Sequence, residues 1–271
     1  MNSIYSYYYR VEGATAVAPT YMATQTDIND KMRAILVDWL VEVHLKFKLM
    51  PETLFLTVNL IDRYLAAAPV TRKNLQLVGV TAMLLASKYE EIWAPEVRDF
   101  VYISDKAYTR EQILGCEKGM LNTLGFHLTV PTPFQFLSRL VKAAGADKPL
   151  AHLAQYSVEL ALPEYACLRF RGSQLAAAAM YCAIRAVRGT PEGSPDGWTH
   201  ALARHSRFSE AEILPCAHAL ARLQRKAAGA SLTAVFKKYN NAKFHEVAKL
   251  PAAQGLGEDA PASSGAALMS S

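Results

Sequence analysis

Met32-Arg33-Ala34-Ile35-Leu36-Val37-Asp38-Trp39-Leu40-Val41-Glu42-Val43 is the run whose spacing decides the fold. Within the longer stretch from Asp30 to Lys48, Met32, Ile35, Leu36, Trp39, Leu40, Val43 and Phe47 recur at the intervals of one helix face. Val37 and Val41 make the opposite side apolar too, which predicts a central helix packed over most of its circumference. Charge is left to Asp30, Lys31, Arg33, Asp38, Glu42 and the terminal lysines.

Outward from this run the punctuation is helical. Pro51-Glu52 makes a good first turn, because proline lacks only an amide hydrogen that would be orphaned there and the carboxylate meets the positive end of the helix. That second helix runs to about Ala67 and Pro69 stops it. Leu75 to Tyr89 is nearly all apolar, with Gly79, Ala82 and Ala86 placed to let another helix approach closely. Pro95-Glu96 opens a fourth helix, and Thr109 with Gln112 forms a capping box for a fifth, ending at Gly125.

The same order then returns. Pro133 opens a helix ending near Gly145, Pro149 opens the next, Ser173 precedes Gln174 to Met180, and Ser209 with Glu212 makes a second capping box. Gln76-Leu77 recurs as Gln174-Leu175, and Thr109, Ile113, Leu114 and Cys116 recur as Ser209, Ile213, Leu214 and Cys216. No run alternates with period two over the length of a strand. The pattern predicts an all-α chain of two tandem five-helix units, 31–130 and 131–249, joined near Val130-Pro131-Thr132-Pro133. A short N-terminal helix, Asn2 to Glu12, and a linker fill 1–30, and a disordered tail rich in Ala, Gly, Ser and Pro is expected over 250–271.

Length and composition narrow the function class. With 271 residues, 51% hydrophobic and 20% charged, the chain can bury a sizeable core, which excludes disorder of the whole. Four cysteines with no C-x-x-C pair suggest neither a disulfide scaffold nor a zinc ribbon, and a reducing compartment fits. Neither a signal peptide nor an uncharged apolar stretch of about 20 residues is present, so a soluble intracellular protein without membrane association is expected. The net charge of +5 is concentrated in the second half, where Lys and Arg are scattered through helices rather than massed, the pattern of a solvated face more than of a nucleic-acid stripe.

No catalytic constellation stands out. His200 and His205 are five apart and do not share a helix face as zinc ligands four apart would, Cys216 and His218 form a lone pair, and Glu90-Glu91 reads as a charged helix end. The expectation is a binding protein that performs no reaction itself and needs no cofactor or metal.

The opening run resembles the cyclin box of mitotic cyclins. The resemblance extends through Ile61-Asp62-Arg63-Tyr64-Leu65, Leu75-Gln76-Leu77-Val78-Gly79, Leu85-Ala86-Ser87-Lys88-Tyr89-Glu90-Glu91, Pro95-Glu96-Val97, Phe100 to Asp105, and Glu117. It is close from residue 4 to about 130 and looser to about 249. His44-x-Lys-Phe-x-Leu-Met-Pro-Glu-Thr and Thr109-Arg-Glu-Gln-Ile look most like B-type cyclins of plants and green algae, with A-type second.

The resemblance implies a subunit that activates a cyclin-dependent serine/threonine kinase, directs it to substrates and promotes the G2/M transition, in nucleus and cytoplasm. It implies a kinase-binding face of Ile4, Tyr7, Leu85, Lys88, Tyr89, Glu91, Glu117, Leu121 and Phe126. It also implies a shallow cleft of Met32, Ile35, Leu36, Trp39 and Gln76 for Arg-x-Leu docking segments of substrates or inhibitors, with Glu42 pairing the arginine, and a structural pair of Arg33 and Asp62. Spacing alone reads most of these as core or rim, Lys88 and Glu117 as solvent-facing, and Ile4 and Tyr7 as one face of a helix folded back on its own domain.

The chain as given departs from mitotic cyclins in beginning at the first helix with no Lys-Glu-Asn box, and its Arg33-Ala-Ile-Leu36 and Arg72-Lys-Asn-Leu75 segments lie in or against helices. A truncated chain, or a destruction signal coded elsewhere, is expected. The competing class is a tandem-box transcription factor that grips nucleic acid, whose footing is the basic second half.

Overall fold

In a computed structural model, which describes residues 2–257, the chain is all-helical, and no strand occurs among the described residues. After α1 (Asn2–Val11), a first unit comprises α2 (Asp30–Phe47), α3 (Pro51–Ala67), α4 (Arg72–Glu90), α5 (Val97–Ile103) and α6 (Arg110–Thr123). The second repeats the order with α7 (Pro133–Ala143), α8 (Lys148–Leu160), α9 (Gly172–Arg188), α10 (His200–Ser206) and α11 (Glu210–Ala227). A further helix, α12 (Ala234–Tyr239), follows, which the repeat did not anticipate.

The hub of each unit is its third helix. Val78 to Ser87 of α4 and Leu175 to Arg185 of α9 are buried without interruption, as expected of helices enclosed on all sides. The expectation that α2 would be the enclosed one is corrected. Leu36, Val37, Leu40, Val41 and Val43 are buried, but Ile35 is 58% exposed and Met32 and Trp39 are half-buried. The reason is that α2 is gripped by α4 on one side and by α12 of the second unit on the other, and a stripe between them stays open. Gly79 permits the α2–α4 approach, since a Cβ there would lie 2.7 Å from Leu36 Cδ1.

The internal repeat holds at the helix starts, although the Gln-Leu pair at 76–77 and 174–175 is offset by 98 residues and not 100. Helices α4 and α9 start at residues 72 and 172, α6 and α11 at 110 and 210, and the boxes Thr109/Gln112 and Ser209/Glu212 both form. Helix α5 starts two residues later than expected, because Glu96 is extended and acts as N-cap in a box with Asp99.

Short links lock the units together. Phe55 stacks on Phe134, Met22 N donates to Tyr165 Oη at 2.9 Å, and Ala234 N donates to Asp38 Oδ1 at 2.9 Å, so α2 holds the start of α12. Beneath α12, Lys238 Nζ and Tyr239 Oη both donate to the buried Glu159 carboxylate, each at 2.7 Å.

Two expectations about the ends are revised. Helix α1 folds onto the second unit, not its own: Tyr5 Oη donates to Gln135 O, Tyr9 Oη to His205 O, and the Glu12 carboxylate accepts from Ser173 N and Oγ at the start of α9. The expected disordered tail does not begin at Leu250. Ala253 and Leu256 are buried, and Arg225 and Arg185 donate to carbonyls of Ala253 and Gln254, because two arginines on α9 and α11 need acceptors that the following chain supplies. The rest of that segment, 258–271, lies outside the described residues.

Candidate functional site

At the C-terminal end of α4, Lys88 Nζ donates to Glu117 Oε1 of α6 at 2.7 Å, with the lysine side chain 46% and the glutamate 13% exposed. A pair this open adds at most about 1 kcal/mol of stability. Its structural effect is to hold two charges side by side at the surface. One residue on, Tyr89 is 45% exposed and its hydroxyl meets Thr129 Oγ1, which ties the end of α4 to the segment after α6. That segment carries Phe126, 66% exposed and left-handed at φ 59°, directly after left-handed Gly125. A bulky side chain at positive φ costs on the order of 1–2 kcal/mol, and here the turn it makes points an aromatic ring into solvent. Leu121 is half-buried behind it.

Two expected members of this face have other duties. Leu85 is 4% exposed and supports the face from beneath. Glu91 Oε1 accepts from Met50 N at 2.7 Å and from the Thr53 hydroxyl, holding the amide-rich start of α3. Two residues that the sequence reading did not single out dominate the surface instead: Ile92 and Trp93, 90% and 91% exposed. The signal was present, since an apolar pair in the proline-bounded turn Glu91-Ile92-Trp93-Ala94-Pro95 has no helix face to bury it. Ile4 and Tyr7 are 54% and 44% exposed and are presented separately, on the outer side of α1, whose Tyr5 and Tyr9 face the second unit.

On α2 the open stripe becomes a groove. Met32, Ile35, Leu36, Trp39, Arg72, Leu75 and Gln76 line a depression of about 350 Å³, with Leu36 and Leu75 as its buried floor. All five expected apolar and amide residues of the cleft are thus brought together, and Leu75 and Arg72 are added. Arg72 is held by Asp27 at 2.9 Å. Glu42 is not in this wall. It lines the next depression along α2, with Leu45, Lys237, Asn241, Lys243 and Phe244.

Arg33 and Asp62 form a bidentate pair at 2.6 and 2.7 Å, and Arg33 is 1% exposed. The pair does more than clip α2 to α3. Tyr21 Oη donates to Asp62, and Arg33 Nη1 reaches Leu162 O at 3.0 Å and Pro163 O at 3.2 Å, so the guanidinium spans both units.

Reactive chemistry is poorly served by what is present. Burial pushes the Cys167 and Cys182 thiols up to about 12 and that of Cys216 higher still, which disfavours the nucleophilic thiolate. No group of three or more His, Cys, Asp or Glu fit for a metal occurs among the described residues. Two basic residues of the second half are turned inward, Arg185, which bonds to Tyr181, Thr190 and Gln254, and Lys238, which is sealed with Glu159, while most of its other Lys and Arg are exposed and spread over several helices. No helix among the described residues is long and apolar enough to cross a membrane.

Residues 3–129 match the family model for the cyclin N-terminal domain and residues 131–253 that for the cyclin C-terminal domain. The chain belongs to the cyclin family. It is 49% identical over 259 residues to a G2/mitotic-specific cyclin-1 of Medicago sativa subsp. varia, covering 96% of this chain and 59% of that one. It is 50% identical over 249 residues to a cyclin-B2-1 of Oryza sativa subsp. japonica, covering 92% and 58%. Against a G2/mitotic-specific cyclin-2 of Medicago sativa the identity is 49% and the coverage 92% and 74%. The chain therefore spans about six-tenths of the length of most of these relatives. The crystal structure of a viral cyclin from herpesvirus saimiri superposes with a TM-score of 0.69 at 21% identity, over 80% of this chain and 96% of that one, which shows the shared cyclin fold.

Proposed function

We propose that this cyclin is the regulatory subunit of a cyclin-dependent serine/threonine kinase, promotes the G2/M transition in nucleus and cytoplasm, and holds substrates by an Arg-x-Leu docking segment. The observation that carries the reading is the group of Tyr89, Ile92, Trp93 and Phe126, apolar and exposed, around the fixed Lys88–Glu117 pair. A monomer rarely leaves two neighbouring large apolar side chains nine-tenths in water without a partner for them. Likeness to G2/mitotic-specific cyclins supports the choice of partner.

Magnitudes fit an activator. Burying Ile92 and Trp93 is worth about 3–6 kcal/mol, comparable to the roughly 5.5 kcal/mol that moves a two-state kinase from 1:99 to 99:1. The remaining contacts, with Ile4, Tyr7, Leu121 and the edge of Leu85 among them, offset the loss of free motion on association. A frame held by buried ion pairs presents this surface with little reorganisation. At the groove, the Leu of a docking segment fits the floor formed by Leu36 and Leu75 under Trp39, with its arginine at Glu42.

The test is capture of a purified cyclin-dependent kinase by the immobilised chain, followed by phosphorylation of a generic substrate. Wild type binds and activates. Lys88→Ala with Glu117→Ala weakens capture at least tenfold. Full capture and activation by that double variant would refute the face, and a wild-type chain that neither binds nor activates any such kinase would refute the function.

A further inference from the structure

Further along α2 from the docking groove, beyond Trp39, lies the second depression, which Glu42 lines and whose far wall is α12 and the chain after it. That annex is basic. Lys237 and Lys243 are exposed on its wall and make no ion pair among the described residues, whereas Lys238 is committed to Glu159. Leu45 and the half-buried ring of Phe244 give it an apolar bed. The wall is fixed from below, because Ala234 N donates to Asp38 at the start of α12. With Glu42 occupied by the arginine of a docking segment, two lysines remain for the residues beyond it.

We propose that this annex selects docking segments that carry an anionic side chain shortly before the Arg-x-Leu core; the inference rests on the docking reading above. Direction and reach follow from geometry. Glu42 lies three residues beyond Trp39 and Leu45 six, or about 4.5 and 9 Å along the helix axis at about 1.5 Å per residue. An extended peptide advances about 3.3 Å per residue. With the leucine under Trp39 and the arginine at Glu42, the chain heading toward Leu45 and Lys243 is the part preceding the arginine, and positions one to three before it fall over the annex. An Asp or Glu there meets two ammonium groups, and a phosphorylated serine brings more charge and three strong acceptor oxygens to the same place.

Fluorescence anisotropy with the full chain and three labelled peptides tests this. The peptides share one Arg-x-Leu core and differ in the three preceding residues, which are neutral, contain two glutamates, or contain one phosphoserine. Wild type is expected to bind the glutamate peptide about fivefold and the phosphoserine peptide about tenfold tighter than the neutral one, with the preference shrinking as salt rises from 50 to 300 mM. Lys237→Gln with Lys243→Gln is expected to abolish the preference and leave the neutral peptide within twofold of wild type. Equal affinity of all three peptides for wild type, or a preference that survives the double substitution, would overturn the annex while the docking groove stands. A glutamate-only or phosphoserine-only preference that the variant loses supports the annex and says which anion it takes. Failure of every peptide to bind, or binding of the neutral peptide unchanged by Trp39→Ala, would overturn the groove and the annex with it.

Discussion

Replacing Arg33 by methionine tests how the two units are held as one body. The substitution keeps most of the apolar stem and removes a guanidinium that makes two bonds to Asp62 and two to the carbonyls of Leu162 and Pro163. Asp62 is then left buried with Tyr21 as its partner. Stranding one charge of a buried pair costs about 3–5 kcal/mol. For a chain of this size each kcal/mol moves Tm by about 2–4 °C, and Arg33→Met is expected to melt about 6–20 °C below wild type by circular dichroism. Arg33→Met with Asp62→Asn removes the charge while keeping an acceptor for Tyr21, and should recover at least about 2 kcal/mol of the loss. A single variant within about 1 kcal/mol of wild type, or a double variant no more stable than the single one, would refute the reasoning.

Other expectations are separable from that one. Ile92→Ser with Trp93→Ser should leave Tm within about 1 °C, because both side chains already stand in water, and should weaken kinase capture at least tenfold; intact capture in a pull-down would remove these residues from the face. Burial, aided by the Lys238 ammonium, holds the His44 imidazole down to about 3, so the unfolded chain takes up its proton first. Stability is therefore complete above about pH 6.5 and falls as pH drops toward 3, by up to about 1.4 kcal/mol per unit. Denaturant midpoints measured from pH 7 to 4 should show a shallower fall in His44→Gln than in wild type. Gly79→Ala gains about 0.5–1 kcal/mol of helix propensity but drives a methyl group against Leu36, an overpacking cost of about 1–3 kcal/mol. The net expected change is a loss of about 1 kcal/mol with weaker docking-peptide binding, and a stabilised variant with unchanged binding would contradict the close approach.

Local rules determined most of the architecture. The period of the apolar residues gave the helices, and the boxes Thr109/Gln112 and Ser209/Glu212 fixed two of their starts, because capping depends on residues three apart and on nothing distant. The hundred-residue register made the tandem units legible for the same reason. Periodicity could not say which apolar helix is the hub and which keeps an open stripe. That depends on which neighbours close on it, and α2 is left open because α4 and α12 grip its two sides. The charged residues show the limit most clearly. Arg33, Lys88 and Lys238 are alike as sequence, yet one spans two units, one stands at the surface beside Glu117, and one is sealed with Glu159. A charge takes its role from the partner and the water around it, and only the tertiary packing of distant segments supplies both.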